Sequence, residues 1–275
     1  MKTGDVFGRI NEMDTETVEK IIQRLEFRDQ DPTFTHWRET YLDKLLLKTA
    51  SRILDAGCGT GVVTRALAKR SDVKCQIIGS DYSPALIDVA RQQARAFKVD
   101  SQIDFQIHDI HSLGFADGYF DIVIAHTVLS HVANPQIAIQ ELRRVVKPGG
   151  VVAIFDGDYA SLTFAYPDDM FARQFEAVFL HVIVNHPRVM RNLPQTLSKV
   201  GLEIVETMSH VLAEVGTARY WMSAIDAFVP MIAGSALLPE DKLNDWLAWQ
   251  RLAVETGQFF AASNYYTYIT RRLNG

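Results

Sequence analysis

The sequence has few cysteines and no run of basic residues. Its 275 residues include two cysteines, Cys58 and Cys75, whose spacing fits neither a disulfide framework nor a metal site. We therefore expect a reducing compartment and no bound metal. The formal net charge is -5 and no five consecutive positions are Lys or Arg. Because the chain has no general attraction to phosphate backbones, nucleic acid is not an expected substrate.

Long apolar segments are also missing. No stretch approaches the roughly 18 uninterrupted apolar residues needed to cross a bilayer, so no membrane span is expected. The first 11 residues mix charged side chains with glycines and lack the apolar stretch of a signal peptide. These features predict a cytoplasmic protein. The composition, with 48% apolar and 22% charged residues, is typical of a globular chain with a packed core.

Apolar runs alternate with segments of helical spacing in the first half of the chain. Strands are predicted at residues 52–57, 76–81, 103–109, 120–126 and 150–156, and helices at 64–69, 84–97 and 135–146. Strands that alternate with helices predict an α/β fold, in which a mostly parallel sheet has helices on its faces.

The flanking regions have other patterns. Residues 14–27 and 35–47 have helical spacing, and so do 168–186, 191–200 and most of 217–256, with a break at 230–239. Strands predicted at 202–211 and 259–270 would pair antiparallel at the sheet edge, which gives seven strands. We therefore divide the chain into a helical cap (1–50), a core (51–156) and a region with helical insertions that completes the sheet (157–275).

A glycine-rich turn follows the first predicted strand. Gly57, Gly59 and Gly61 permit positive φ angles and let a ligand lie against bare backbone. In the dinucleotide fingerprint the third glycine falls one residue later, where this chain has Val62. The spacing disfavours an NAD-dependent oxidoreductase and favours a ligand without pyrophosphate. A tight strand-to-helix connection with no ligand is the alternative.

An acidic residue ends the second predicted strand. Asp81 lies 20 residues beyond Gly61, and a carboxylate at this place can accept hydrogen bonds from both hydroxyls of a ribose. The turn and the acid together predict a nucleoside ligand.

The ordered motifs resemble those of class I S-adenosylmethionine-dependent methyltransferases. They are ILDAGCGTG, GSDYS, the HD pair at the third strand, FDIV, and LRRVVKPGG before the fifth strand. The sequence is similar to the small-molecule branch, which contains quinone, sterol and natural-product methyltransferases. The resemblance covers residues 51–156 and implies a Rossmann-like sheet, S-adenosylmethionine as cofactor, S-adenosylhomocysteine as product and a small organic methyl acceptor.

The resemblance also implies roles for individual residues. The glycine turn and Asp55 would pack against the amino-acid moiety of the cofactor, and Asp81 would hold the ribose. Tyr82 would pack on adenine, and Asp109 would meet the adenine amino group. The remaining predicted contacts are Ile110 beside the adenine and His126 beside the methionine portion.

Arg38 is a further candidate. It lies on the helix before the first strand, and a guanidinium suits the carboxylate of the cofactor. A solvated helix face is the alternative explanation.

Methyl transfer from a sulfonium requires chiefly that the acceptor lie in line with the methyl carbon. A hydroxyl acceptor would also need a base, whereas positioning can suffice for an amine or a carbon acceptor, so O-, N- and C-methylation all remain open. The candidate catalytic residues are Asp158, His181 and His126. His131 is another candidate base, which we interpret as a structural residue at a helix start.

The acceptor pocket is expected between the cap and the insertions. Their aromatic and methionine side chains are candidates for its walls, with ordinary core packing as the alternative: Trp37, Tyr159, Phe164, Tyr166, Phe171, Trp221, Met222, Phe228 and Met231. Methylation-coupled cyclisation and cofactor binding without turnover are rival functions. The sequence leaves the oligomeric state open, a homodimer included.

Overall fold

The apolar runs of the sequence form one seven-stranded sheet in the computed structural model, which describes residues 5–274. The strand order is β3-β2-β1-β4-β5-β7-β6. The strands are β1 (Arg52–Ala56), β2 (Gln76–Asp81), β3 (Ile103–Ile107), β4 (Phe120–His126), β5 (Val146–Phe164), β6 (Leu202–Val215) and β7 (Phe260–Arg272).

The first five strands run parallel, and β7 pairs antiparallel with both β5 and β6. The predicted α/β, Rossmann-like sheet with an antiparallel C-terminal strand is confirmed. The predicted pairing between the strand at residue 202 and the last strand is confirmed too.

Nine α-helices surround this sheet in the described residues. They are α1 (Thr15–Gln30), α2 (Pro32–Leu42), α3 (Val62–Lys69), α4 (Pro84–Ala96), α5 (Pro135–Val145), α6 (Asp169–Ile183), α7 (Val189–Lys199), α8 (Tyr220–Ser235) and α9 (Glu240–Glu255). Between residues 5 and 274, no helix is both long and apolar enough to cross a membrane.

Two apolar layers lie on opposite faces of the sheet. Successive side chains of a strand point to opposite faces, and accordingly Ile53 belongs to one buried cluster and Leu54 to the other. The first cluster includes side chains of α1, α2, α6, α8 and α9, whereas the second includes those of α5 and α7. The sheet is therefore covered on both faces, which explains its nearly continuous apolar strands.

Two predicted boundaries are wrong. β5 does not end at residue 156 but continues to Phe164, because β7 supplies hydrogen-bond partners beyond that point after a register shift between Asp158 and Thr163. The break predicted from residue 230 begins later, since Pro230 lies inside α8. Burial of the neighbouring Phe228 and Ile232 offsets the backbone hydrogen bond that a proline cannot donate.

The layer of α6 and α9 depends on stacked aromatic rings. Phe175 and Trp246 are fully buried, with ring centroids 3.7 Å apart. We expect Phe175→Ala to lower the free energy of unfolding by about 3 to 5 kcal/mol, because a large cavity remains. Urea denaturation followed by circular dichroism measures this loss. Met170→Ala is the control, since Met170 lies on the same helix and is 83% exposed; an equal loss in both variants would contradict the prediction.

Candidate functional site

A cavity of about 310 Å³ lies at the carboxyl ends of β1, β2 and β4 and is lined in part by α1. Of the ten residues for which the sequence predicts cofactor contacts, nine line it, and Gly61 lies just outside. The nine are Arg38, Asp55, Gly57, Gly59, Asp81, Tyr82, Asp109, Ile110 and His126. Side chains from distant parts of the sequence therefore meet in one place, at the edge where ligands bind in open α/β sheets.

The glycine turn between β1 and α3 is held against the end of β2. The backbone N–H groups of Gly57 and Cys58 both donate to the Ser80 carbonyl, at 2.7 and 2.9 Å, and the Gly59 N–H donates to Asp81 Oδ2 at 2.9 Å. The turn therefore has a fixed position relative to the acid that follows β2.

Two of the glycines are required by both conformation and space. Gly57 has a φ of 73°, and a Cβ there would lie 2.6 Å from Val128 Cγ2. Gly61, with a φ of 80°, begins α3, and a Cβ would lie 2.9 Å from the Phe105 ring. Any larger residue would be strained and would displace its neighbours.

Asp81 faces the cavity from the end of β2. Its Oδ1 accepts from the Ser83 N–H at 2.9 Å, and its Oδ2 accepts from Gly59. Burial raises the pKa of this carboxyl, although the backbone donors oppose the rise. Each oxygen keeps a further lone pair, so the carboxylate can still accept hydrogen bonds from a ligand.

Asp55, at the end of β1, is almost completely buried. Its Oδ2 accepts from the Thr64 hydroxyl at 2.6 Å, whereas Oδ1 has no hydrogen-bond partner. Burial, partly opposed by Thr64, raises the pKa of Asp55 to about 6. A buried oxygen without a partner is costly, so Asp55 Oδ1 has unused capacity to accept a hydrogen bond from a ligand.

The opposite wall lies between β2 and β3. The Tyr82 hydroxyl donates to the Phe7 carbonyl at 2.7 Å, which places the ring against the N-terminal segment. Asp109 Oδ1 accepts from the backbone N–H of His111 at 2.9 Å and lies 2.6 Å from its Nδ1. Ile110 adds an apolar surface between these polar groups.

The end of β4 forms the third wall. His126 is half-buried, its ring stacks on Phe155 at 4.5 Å, and its Nδ1 lies 3.0 Å from the Tyr41 hydroxyl. Burial, reinforced by nearby Arg28 and Arg38, holds the pKa of His126 well below its ordinary value. The imidazole is therefore neutral near pH 7.

Two arginines from the N-terminal helices reach the cavity, with different partners. Arg38 is paired with Asp29 and, at 3.3 Å, with Glu39, so its charge is already neutralised. Arg28 donates to the Thr127 hydroxyl at 2.7 Å and has no carboxylate within 4.0 Å among residues 5–274. Arg28 therefore lacks the carboxylate partners that neutralise Arg38.

Sequence analysis did not identify Arg28. The signal was present, because Ile21, Leu25 and Arg28 are spaced four and three apart and share one face of α1. An arginine on the apolar face of a helix is a candidate for a buried polar contact.

Helix α1 is held over the glycine turn by a buried ion pair. The Arg65 guanidinium on α3 lies 2.9 Å from Glu26 on α1 and also donates to the Thr60 carbonyl in the turn at 2.5 Å. The side of the cavity formed by the cap is thus tied directly to the sheet.

The three candidate catalytic residues do not meet. Only His126 lines the cavity. Asp158 is buried outside it and accepts from Arg191 Nε with both oxygens, at 2.8 and 2.9 Å. His181 lines a separate cleft between α6 and α7. The structure thus places Asp158 and His181 away from the predicted cofactor contacts.

His131 lies in the cavity wall instead. Its Nδ1 is 2.8 Å from Asp5 Oδ2, and Asp5 also accepts the backbone N–H groups of Phe7, Gly8 and Asn185. Burial lowers the pKa of His131, but the Asp5 carboxylate outweighs burial and raises it. Asp5 therefore fixes the orientation of a ring whose other nitrogen has no protein partner in the described chain.

Comparison with known proteins agrees with this geometry. Residues 54–154 match the family model described as a methyltransferase domain. The chain is 28% identical over 237 residues to an uncharacterized 37.1 kDa protein of transposon TN4556 from Streptomyces fradiae, covering 86% of this chain and 66% of that protein. It is 33% identical over 120 residues to a demethylmenaquinone methyltransferase of Lactobacillus johnsonii, covering 44% and 49%.

A solved structure has the same fold. The crystal structure of a Bacillus halodurans C-125 protein, described provisionally as a methyltransferase, aligns with a TM-score of 0.62 at 19% identity, covering 86% of this chain and 99% of that one. At this identity the likeness concerns the fold alone. The chain spans about half to two thirds of the length of the two curated relatives.

The sheet order, the glycine turn and the family match agree with the resemblance of the sequence to class I S-adenosylmethionine-dependent methyltransferases.

The raised pKa of Asp55 predicts a pH dependence of folding. Protonation of this buried carboxyl stabilises the folded state, so its contribution is present below its unfolded value of 3.8 and is lost as the pH rises through about 6. Between pH 4 and pH 7 we expect the unfolding free energy of the wild type to fall by about 2 kcal/mol relative to that of Asp55→Asn. Urea denaturation at both pH values measures the difference. The exposed Asp88→Asn variant is the control, and parallel profiles for wild type and Asp55→Asn would refute the assignment.

Proposed function

We propose that the chain transfers a methyl group from S-adenosylmethionine to a small, partly apolar organic acceptor. The observation that carries the proposal is the joint position of the glycine turn and Asp81, tied together by the Gly59 hydrogen bond at the cavity wall. This arrangement offers bare backbone and a ribose-binding carboxylate side by side. The cofactor supplies an activated methyl group on a sulfonium, so catalysis depends chiefly on how the chain positions the acceptor.

The cavity has polar groups that fit such a cofactor. Asp55 Oδ1 and Thr60 Oγ1 are buried and have no hydrogen-bond partner in the described chain. A ligand ammonium group beside Asp55 would gain a charge-assisted hydrogen bond. At the adenine end, Tyr82 would offer an aromatic face, and Asp109 a carboxylate for an amino group.

Arg28 is the better partner for the cofactor carboxylate. Arg38 was the candidate from sequence, but its guanidinium is already held by Asp29 and Glu39. Arg28 keeps free donors near Thr127 and lines the same cavity as Gly57. We therefore assign Arg28 to the carboxylate and Arg38 to fixing α2 against α1.

Where the acceptor must lose a proton, we propose a histidine of the cavity wall as the base. His131 has the geometry of an oriented base, because Asp5 holds Nδ1 and leaves Nε2 without a protein partner. His126 also lines the cavity and has a lowered pKa, and the sequence predicts that it lies beside the methionine portion of the cofactor. We propose that His126 positions the acceptor or acts as a base together with His131. Asp158 is neutralised by Arg191, and His181 lies in another cleft, so neither is proposed as catalytic.

The Lactobacillus johnsonii relative is a demethylmenaquinone methyltransferase. For this chain we propose the same broad class, a compact organic molecule with apolar surface. Of the aromatic residues expected in the acceptor pocket, Tyr159, Trp221 and Phe228 line a second, smaller cavity beside the first. These residues supply apolar walls next to the proposed cofactor site.

Calorimetric titration tests the cofactor, and mass spectrometry tests the reaction. We expect S-adenosylhomocysteine to bind and NAD not to bind, because the turn lacks the pyrophosphate-binding glycine spacing. A cell extract incubated with enzyme and S-adenosylmethionine should yield a product heavier by one methyl group. Binding without any such product would indicate a cofactor-binding protein, and a methylated product that has also formed a ring would indicate coupled cyclisation.

The ribose assignment predicts a loss of affinity in Asp81→Asn. We expect the affinity for S-adenosylhomocysteine to fall by about 1.5 to 3 kcal/mol, since hydrogen bonds to a charged group are lost. Calorimetry measures the dissociation constant, and Asp88→Asn on α4 is the exposed control. Unchanged affinity in Asp81→Asn would show that this carboxylate does not hold the ribose.

The assignment of Arg28 predicts a selective effect. We expect Arg28→Met to weaken S-adenosylhomocysteine binding roughly tenfold, because a charge-assisted contact with the cofactor carboxylate disappears. Binding of 5′-methylthioadenosine, which lacks the amino-acid group, should not change. Equal loss for both ligands would mean that Arg28 acts on the shape of the cavity and not on the carboxylate.

A further inference from the structure

A second cavity of about 50 Å³ adjoins the proposed cofactor site. The two cavities share four lining residues, and the smaller one continues between α1, α8, β5 and β7. The shared residues are Phe7, Leu25, Arg28 and His131. A ligand in the smaller cavity would therefore reach His131 and the proposed cofactor site from the far side.

Arg24 brings an uncompensated charge to this second cavity. The residue is only 7% exposed, and its guanidinium lies 4.1 Å from the centroid of the Tyr220 ring. Its one hydrogen bond is to the Ser223 hydroxyl at 3.4 Å, and within residues 5–274 no carboxylate lies within 4.0 Å of it. A buried charge without a counter-ion is costly, and the aromatic contact recovers only part of that cost.

Two further polar groups of this cavity are hydrogen-bond donors without a protein acceptor in the described chain. The Tyr159 hydroxyl forms no hydrogen bond with the described protein, and the Trp221 indole N–H is buried without a partner. No Asp or Glu is among the lining residues that the structure describes. The cavity is therefore rich in donors, positively charged and poor in acceptors.

The remaining walls are apolar or aromatic. They include Leu162, Phe179, Ile183, Val184, Ala224 and Phe228. Aromatic and aliphatic walls around a few directed polar groups are typical of a small-molecule site.

We propose that the methyl acceptor is an organic acid whose carboxylate binds Arg24, with Tyr159 as a further donor. This inference rests on the proposed function and specifies the substrate class of that site. The apolar body of the acid lies against Phe228 and Phe179, and its reacting atom points toward the shared wall at His131. Because Arg24 does not line the cofactor cavity, the acceptor carboxylate and the cofactor carboxylate are held by different arginines.

Matched acids and amides test this proposal by calorimetry on protein saturated with S-adenosylhomocysteine. The probes are benzoate and benzamide, phenylacetate and phenylacetamide, and hexanoate and hexanamide. We expect at least one acid to bind roughly tenfold more tightly than its amide, since only the acid forms a charge-assisted contact. If no acid of the three pairs is preferred over its amide, the proposal is wrong.

Variants test whether Arg24 causes the preference for the acid over the amide. Arg24→Met should abolish the preference for the acid while S-adenosylhomocysteine still binds, and Arg24→Lys should restore part of it. Arg219→Met is the matched control, because Arg219 is exposed and packs on Phe27, another ring that Arg24 contacts. A preference that survives in Arg24→Met overturns the proposal, as does its loss in Arg219→Met.

Tyr159→Phe provides a test that does not depend on the folding of the Arg24 variants. It removes only a hydroxyl without a protein partner, and we expect it to weaken acid binding severalfold while amide binding stays the same. Unchanged acid binding would remove Tyr159 from the site and contradict the proposed donor set. If S-adenosylhomocysteine itself fails to bind the wild type, the proposed function fails; if it binds and no acid is preferred, only this inference fails.

Discussion

The attachment of the glycine turn to the end of β2 is the constraint on which the rest of the site depends. Two backbone donors of the turn share the Ser80 carbonyl, and a third binds the Asp81 carboxylate. These bonds require positive φ angles and the absence of a Cβ at Gly57, where Val128 occupies the adjacent space. Asp81 thus has a structural role, closing the turn, while a lone pair on each oxygen remains available to a ligand.

Charge is distributed unevenly around this turn. The carboxylates of Asp55, Asp81 and Asp109 lie at the strand ends, whereas Arg28 approaches from α1. The proposed cofactor carries an ammonium and a carboxylate on its amino-acid portion, so a site with both signs of charge can orient that portion. The Arg65–Glu26 ion pair fixes the relative position of these two sides, because it joins α3 to α1.

The catalytic candidates show where local sequence ceases to be informative. Asp158 follows a predicted strand end, but β5 continues past it because β7 pairs there, and Arg191 from α7 neutralises the carboxylate. His131, interpreted from sequence as structural, lies in the cavity wall because Asp5 binds its ring from 126 residues away. The spacing of residues near Asp158 and His131 does not reveal pairing with a distant strand or a distant carboxylate.

The sequence by itself determined the alternating sheet, the antiparallel last strand, the glycine turn and the acids at the strand ends. These features depend on backbone conformation, on side-chain periodicity and on the rule that parallel strands end at one edge. Only the tertiary structure decided which arginine lacks a carboxylate partner and which has one, and that His131 also faces the cavity. Such outcomes depend on contacts between α1, α2 and strands far away in the chain, since a charge is neutralised or left unpaired only by what folding brings beside it.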